Sequence, residues 1–215
     1  MELAVAAADL PIVDAFSLPA SHRQALKPAE PVVAAGGRVY ELPRYFYEVE
    51  SWAIALNTPL TAHFGLWEFM DVDVREAPVM RTYPRYIPCA VGALATALEV
   101  LRLSVGLPVR IAANGAYRSP IHGGNRGVSP HSWAAAANIY RIGAEWLDTE
   151  ERIERYAALA RRLLPLVWVR PYGSEAGTAN DHLHLDLGYV TVLPHTASNR
   201  DHDAHHGADA RQTDT

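Results

Sequence analysis

The chain has 215 residues, of which 49% are hydrophobic and 20% charged, as is ordinary for a globular protein of about one domain. Its formal net charge of −5 gives no basis for a nucleic-acid partner. No apolar segment reaches the length of a membrane span. The single cysteine, Cys89, excludes an internal disulfide, and its place beside an apolar helical pattern predicts a buried thiol.

The N-terminal segment decides the expected location. It lacks the basic stretch and the long apolar stretch of a secretory signal, and Asp9 and Asp14 interrupt it. We therefore expect a cytoplasmic protein, with no nucleic-acid or membrane partner. The oligomeric state stays open.

Composition divides the chain into three regions. Residues 1–40 form an N-terminal arm whose prolines exclude a long helix, and we expect it to wrap the surface or to pair with another subunit. Residues 41–193 hold the periodic patterns of a folded domain. Residues 194–215 are rich in His and Asp, which predicts a disordered tail, with loose metal binding as the alternative.

The periodic patterns predict an α+β fold, a small antiparallel sheet flanked by helices. Residues 44–55 could form a helix or a strand. A helix is expected over Ile87–Leu103, ended by Gly106. A second helix is capped by Thr149 or Asp148 and runs to about Leu164, and Asp148 and Glu151 resemble a capping box. The predicted strands are Val109–Ala112, Ala136–Tyr140, Leu166–Val169 and His182–Val192.

The last of these strands carries the most informative pattern. In His182-Leu183-His184-Leu185-Asp186-Leu187 polar and apolar residues alternate, which is typical of a half-buried strand. Residues two apart share a face, so His182, His184 and Asp186 face a cleft while the leucines face the core. Imidazoles and carboxylates are zinc ligands. A half-exposed polar strand without a metal is the less favoured alternative.

A second group of residues lies upstream. Asn114-Gly115-Ala116-Tyr117-Arg118-Ser119-Pro120 is followed by Gly123-Gly124-Asn125 and then by Ser129-Pro130-His131. Together with the histidine strand, these motifs resemble the D-Ala-D-Ala carboxypeptidase and dipeptidase family of zinc peptidases. That fold is shared with lysostaphin-like endopeptidases and the hedgehog domain. The resemblance runs from about His63 to Val190.

The resemblance implies a metallopeptidase domain over residues 41–193, of hedgehog/DD-peptidase-like fold. It implies a zinc-dependent hydrolase that cleaves a small peptide amide with a metal-bound water, and so a small peptide or amino-acid-derived substrate as its partner. The implied metal ligands are His131, Asn138 and His184. The implied catalytic residues are Asp181, His182 and Arg118. The implied substrate-binding residues are Arg118, Tyr117 and Ser129.

Three positions depart from the family pattern. Ala134 stands for its glycine, Asp181 for its catalytic glutamate and Asn138 for its aspartate ligand. The last change is the most serious, because a neutral amide oxygen binds zinc more weakly than a carboxylate does. Asp186 could replace the missing carboxylate, but residues two apart on a strand are separated by roughly 6.6 Å. We therefore rank it below Asn138 and below an open position.

Two further hypotheses stay open beside the zinc peptidase. One is a recruited biosynthetic metalloenzyme on the same fold, whose ligand set holds iron or copper. The other is a non-catalytic binding domain that keeps the cleft. Among the neighbouring residues, His122 is interpreted as a loop residue that could line the cleft, and Trp67 and Phe69 as core aromatics.

Overall fold

A computed structural model of the protein describes residues 7–34, 36–125, 127–174 and 180–193. These residues form small antiparallel sheets and several helices, so the prediction of a mixed α and β structure is confirmed at that level. Within these ranges no helix is both long enough and apolar enough to cross a membrane. The predicted tail, residues 194–215, lies outside the described residues.

The helices are short apart from two. They are α1 (Ala20–Leu26), α2 (Trp52–Asn57), α3 (Trp67–Met70), α4 (Pro78–Arg81), α5 (Val91–Val105) and α6 (Glu150–Leu163). The strands are β1 (Ile12–Asp14), β2 (Pro31–Val33), β3 (Val39–Glu41), β4 (Tyr45–Glu48), β5 (Tyr86–Pro88), β6 (Val109–Ile111), β7 (Ala136–Ile142), β8 (Glu145–Trp146), β9 (Trp168–Val169) and β10 (Leu183–Asp186). A 3-10 turn spans Pro130–Trp133.

The largest sheet has the strand order β6-β7-β10-β9, and β8 pairs with the free part of β7. Every pairing in it is antiparallel. Its inner face, formed by Ala137, Ile139, Leu183 and Leu185, belongs to the main hydrophobic core together with apolar residues of α5 and α6. Asn138, His184 and Asp186 alternate with these residues and form the outer face.

Both long helices match the sequence prediction in type and differ at their starts. Helix α5 ends at Gly106, whose φ of +64° suits glycine, but its first turn is missing because Tyr86–Pro88 pair with β4 instead. Helix α6 has Thr149 as its N-cap without a side-chain cap bond. Thr149, one of the two expected caps, is therefore confirmed, whereas the capping box of Asp148 and Glu151 is wrong: Asp148 accepts a hydrogen bond from Arg152.

The arm contributes to the fold. Strand β1 pairs with β4, and Leu10, Leu18 and Leu26 are buried in the main core. The hairpin of β2 and β3 packs beside the 3-10 turn, where the indole of Trp133 donates to the carbonyl of Glu41 at 3.1 Å. Residues 44–55, for which helix and strand both stayed open, contain β4 and the start of α2.

The histidine strand is shorter than predicted. Strand β10 ends at Asp186 rather than near Val192, because Gly188 adopts a φ of +75° that extended backbone does not have. All four of its residues are buried, so the expectation of a half-buried strand is wrong. On the outer face the ring of His131 lies against that of His184; the described residues between Asn114 and His131 are called the covering loop.

Candidate functional site

Strands β7 and β10 bring two of the predicted ligands into direct register. His184 lies opposite Asn138 in the antiparallel pair, and its Nδ1 is 2.8 Å from the Asn138 Oδ1. Both residues are only 8% exposed. Because directly opposed side chains on one face of a sheet lie close together, this contact follows from the register of the strands.

The second nitrogen of His184 meets a carboxylate. Its Nε2 is 3.0 Å from the Asp186 Oδ2, and the other oxygen of Asp186 accepts the N–H of Gly188 at 2.8 Å. The carboxylate oxygen of Asp186 and the amide oxygen of Asn138 both only accept hydrogen bonds, and a neutral imidazole has one N–H. With that proton on Nε2, towards Asp186, the Nδ1 of His184 and the Oδ1 of Asn138 face each other as two lone-pair atoms, as two ligands of one metal ion would.

His131 reaches the same place from the 3-10 turn. Its ring centroid is 5.3 Å from that of His184, and it is 3% exposed. Its Nδ1–H donates to the carbonyl of Ala116 at 2.6 Å, which leaves Nε2 as the lone-pair nitrogen. Burial, and then the charge of Arg118, hold the pKa of His131 well below its usual value. The ring is therefore neutral, the form that binds metal ions.

The backbone around these residues explains two positions of the motif. Ala134, where the family pattern has glycine, has a φ of +52°, a left-handed conformation that costs a residue with a Cβ about 1–2 kcal/mol. Gly115 packs against the backbone beside Asn138: a Cβ there would lie 3.0 Å from the carbonyl oxygen of Asn138 and 2.5 Å from that of Ala112. A side chain at this position would therefore displace β7.

Three side-chain atoms of the cluster are candidate metal donors, and none of them carries a negative charge. The candidate donors are Nε2 of His131, Oδ1 of Asn138 and Nδ1 of His184. Among the described residues no three His, Cys, Asp or Glu side chains come together in a way that could hold a metal ion. The third donor is thus the amide of Asn138, which neutralises none of the metal's charge.

Asp186 lies closer to the cluster than its spacing along the strand suggested. Its carboxylate contacts the imidazole of His184 on the nitrogen opposite to the one that faces Asn138. Metal-binding histidines commonly donate their other N–H to such a carboxylate, which fixes the ring and raises its basicity. Asp186 is therefore placed to orient His184, and the Asn138 oxygen is placed beside the nitrogen of His184 that could bind the same metal ion.

Arg118 is held next to His131 by backbone groups. Its own N–H donates to the carbonyl of His131 at 3.2 Å, and its Nε donates to the carbonyl of Asn114 at 2.8 Å. Burial, and then the charge of Arg75, lower the pKa of Arg118 to about 10. A guanidinium whose charge is poorly compensated in this way is favourable for binding an anionic group.

A chain of three side chains borders the cluster. The Nη2 of Arg170 lies 2.8 Å from the Nε2 of His182, and the Nδ1 of His182 lies 2.8 Å from the Oδ1 of Asp181. Because arginine only donates and the carboxylate only accepts, His182 is neutral with its proton on Nδ1. Burial lowers the pKa of His182. Asp181 is exposed, with 65% of its side-chain surface accessible.

Sequence reasoning missed Arg170. It follows β9, and its N–H donates to the carbonyl of His184 at 3.1 Å. It becomes a neighbour of the histidines because β9 pairs with β10. The sequence predicted β9 but not its partner. Trp168 was missed for the same reason, and its ring centroid lies 5.8 Å from that of His184.

The two remaining substrate-binding candidates differ from expectation. Tyr117 is 1% exposed and belongs to the main core, and burial raises its pKa well above the usual value. This placement does not support a role for Tyr117 in substrate binding. Ser129 is half-buried and precedes the 3-10 turn, where its carbonyl accepts the N–H of Ser132 at 2.9 Å.

A buried polar network supports the covering loop and also escaped the sequence analysis. Glu76 is 1% exposed and accepts hydrogen bonds from the N–H and the hydroxyl of Ser119. His122 is 2% exposed, with Nε2 3.2 Å from a carboxylate oxygen of Asp73 and Nδ1 accepting the N–H of Gly124 at 2.9 Å. His122 is a loop residue, as the sequence predicted, and both of its ring nitrogens are engaged within this network.

No known protein-family model, curated protein or solved structure matches the chain.

Proposed function

We propose that the protein is a metal-dependent hydrolase that cleaves an amide bond in a small peptide, with zinc as the metal. The observation that carries the proposal is the buried cluster of His131, Asn138 and His184, with a carboxylate behind the last ring. A buried histidine without a ligand is more commonly satisfied by one hydrogen bond to the backbone. Here the Nδ1–H of His131 is bonded to the backbone, which leaves a lone pair on its Nε2. With the proton of His184 on the side of Asp186, its Nδ1 lone pair lies against the oxygen of Asn138.

Zinc bound by these donors would supply a water of lowered pKa. The protein's own residues complete the proposed site. Arg118 neutralises a substrate carboxylate or the developing oxyanion. Asp181 takes and returns a proton, and His182 orients it through the hydrogen bond of its Nδ1–H. The hedgehog/DD-peptidase-like fold is part of the same proposal, because the sheet carries two of the ligands.

Asn138 supports a second candidate, a recruited metalloenzyme on the same fold. Two imidazoles and an amide form a neutral ligand set, which retains zinc less firmly than a set with a carboxylate. Iron or copper is the alternative metal for such a site. The two candidates differ in the response to restoring the carboxylate: a zinc hydrolase gains from Asn138→Asp, and a site adapted to another metal does not.

The first test measures metal content and zinc affinity of the full-length protein, its Asn138→Asp and His184→Ala variants, and His63→Ala as a control. His63 pairs with Glu99 away from the cluster. All four proteins keep the same tail, so differences between them report on the core site. We expect Asn138→Asp to bind zinc at least about tenfold more tightly, His184→Ala to lose the core site, and His63→Ala to match the wild type.

The second test measures hydrolysis of the dipeptides D-Ala-D-Ala and L-Ala-L-Ala by the zinc-loaded proteins. Asp181→Asn should keep its zinc and lose about 100-fold or more in rate, since proton transfer contributes about 10²–10⁴-fold. Iron or copper at unit stoichiometry in the wild type would favour the recruited enzyme. The absence of any metal uptake that depends on His184 would overturn both candidates.

A further inference from the structure

A cavity of about 630 Å³ opens between α3 and the β6 edge of the largest sheet. Its volume lies within the usual range for small-molecule sites. The backbone N–H of Ala112 in its wall donates to the carbonyl of Asn138 at 2.9 Å, so the cavity neighbours the histidine cluster without containing its residues. The side chains that give it its chemistry are those of Trp67, Glu68, Asp71, Arg110, Tyr140 and Arg141.

A β-bulge directs two of these side chains into the cavity. The register between β6 and β7 shifts so that Arg110 pairs with Arg141, and the next residue, Ile111, pairs with Ile139. The extra residue is Tyr140. A bulge re-aims the side chains beside it, and here Ile139 and Ile142 both point into the core while Tyr140 and Arg141 both line the cavity.

Helix α3 supplies an aromatic wall. Trp67 was expected in the core, but it is 38% exposed and lines the cavity. Its indole lies over Gly65, where a Cβ would come within 2.8 Å of the ring. The N–H of the same glycine donates to Glu68 at 3.0 Å. Gly65 thus holds both side chains in place, and the wall is pre-organised for a flat apolar group.

The charges around the cavity are of both signs, and Arg110 lies near enough to Glu68 for its charge to oppose the rise in the pKa of Glu68. Among the described residues neither Asp71 nor Arg110 has a side-chain hydrogen bond or ion pair. Glu68 accepts only the N–H of Gly65. Burial raises the pKa of Glu68 and that of Asp71, so a bound cation would be favourable there. The guanidinium of Arg141 is fixed by the carbonyl of Gly143 at 2.9 Å.

We propose that this cavity binds a free aromatic amino acid, with the ammonium group at Glu68 and Asp71, the carboxylate at Arg110 and Arg141, and the side chain against Trp67 and Tyr140. The lining has two carboxylates and two guanidiniums, which a zwitterion complements and a singly charged ligand does not. The aromatic walls select an apolar, flat side chain. The site does not depend on a metal and is separate from the proposed hydrolase centre.

Calorimetric titration of the full-length protein tests the proposal with three probes of similar shape. L-phenylalanine carries both charges, 3-phenylpropanoate lacks the ammonium group, and 2-phenylethylamine lacks the carboxylate. We expect L-phenylalanine to bind at least about tenfold more tightly than either analogue, because each analogue leaves charged groups of the cavity unpaired.

Variants then locate the binding site. Asp71→Asn and Arg110→Gln should each weaken L-phenylalanine binding about tenfold or more. The matched controls Glu50→Gln and Arg38→Gln remove the same charges from exposed positions elsewhere and should bind like the wild type. Since Asp71 and Arg110 are exposed, their replacement should leave the thermal unfolding midpoint unchanged, which is measured alongside.

His184→Ala separates this site from the histidine cluster. It should bind L-phenylalanine as the wild type does. Loss of binding in His184→Ala with retention in Asp71→Asn would place the ligand at the histidine cluster and overturn the proposal. Equal affinity for all three probes, or no heat of binding with L-phenylalanine at millimolar concentration, would overturn it as well.

Discussion

The two faces of the largest sheet are formed by the same strands, but one packs into the apolar core and the other carries the candidate site. The inner face of Ala137, Ile139, Leu183 and Leu185 is completely buried and apolar. The outer face, one residue out of phase, carries Asn138, His184 and Asp186, which are nearly as buried at 6–8% exposure. Burial alone therefore does not distinguish the face that stabilises the fold from the face that holds the candidate chemistry.

The two faces differ in how their buried side chains are stabilised. Apolar side chains gain free energy in proportion to the area removed from water, whichever neighbour covers them. Buried polar groups must find specific partners. On the outer face those partners are supplied by register, by the covering loop and by the Asp186 carboxylate. Substitutions on the inner face should thus affect stability, and those on the outer face should affect binding.

The largest expected effect is on the inner face. Leu185→Ala removes a fully buried side chain and should lower the free energy of unfolding by about 2–5 kcal/mol, because it loses transfer free energy and leaves a cavity. Urea denaturation followed by circular dichroism measures this. A loss below about 1 kcal/mol would mean that the sheet collapses easily onto the helices and that the inner face is not a close-packed core.

The next effect is on the outer face. Asp186→Asn weakens the hydrogen bond to Nε2 of His184 and should lower zinc affinity by about 10–100-fold, as for other groups that orient a ligand. The free energy of unfolding should fall less than in Leu185→Ala. Competition with a zinc chelator measures the affinity. Complete loss of zinc, together with unchanged affinity in Asn138→Ala, would instead make Asp186 the ligand.

The smallest effect concerns the covering loop. Burial lowers the pKa of His122, opposed by the hydrogen bond to Asp73, so the unfolded chain binds more protons than the native one once the pH falls below about 6.5. The contribution of His122 to the free energy of unfolding is therefore fully present above that pH. It is lost as the pH falls below it, by at most about 1.4 kcal/mol per pH unit. Protonation of Nδ1 would also oppose the N–H of Gly124.

His122→Gln should remove this part of the pH dependence, measured as the free energy of unfolding at pH 7.5, 6.5 and 5.5. Burial also lowers the pKa of His131 and of His182. The variant should therefore keep part of the pH dependence that the wild type shows in its free energy of unfolding. His63→Gln, at an exposed position, serves as the control. If the free energy of unfolding depends on pH in His122→Gln as it does in the wild type, then His122 binds protons equally in the folded and the unfolded chain, which would contradict this prediction.

Secondary structure was predictable wherever a local pattern was strong. The apolar spacing and Gly106 defined the end of α5, and the alternation of leucines located β10. The error at α5 has a non-local cause: its first turn was lost to strand pairing with β4, which lies outside the helical window from which the prediction was made. Trp67 was expected in the core and is instead 38% exposed, with its indole packed over Gly65.

The sequence by itself determined the candidate site residues: the histidines at 131 and 184, the arginine at 118, and an amide at 138 where a carboxylate would bind metal better. The alternation along β10 also determined which of them share a face. Only the tertiary structure decided their partners. Asp186 on His184, Arg170 on His182 and Glu76 under the covering loop all depend on which strand pairs with which and on how the loop folds back. These contacts are long-range and depend on how the whole core packs, so a local sequence pattern does not predict them.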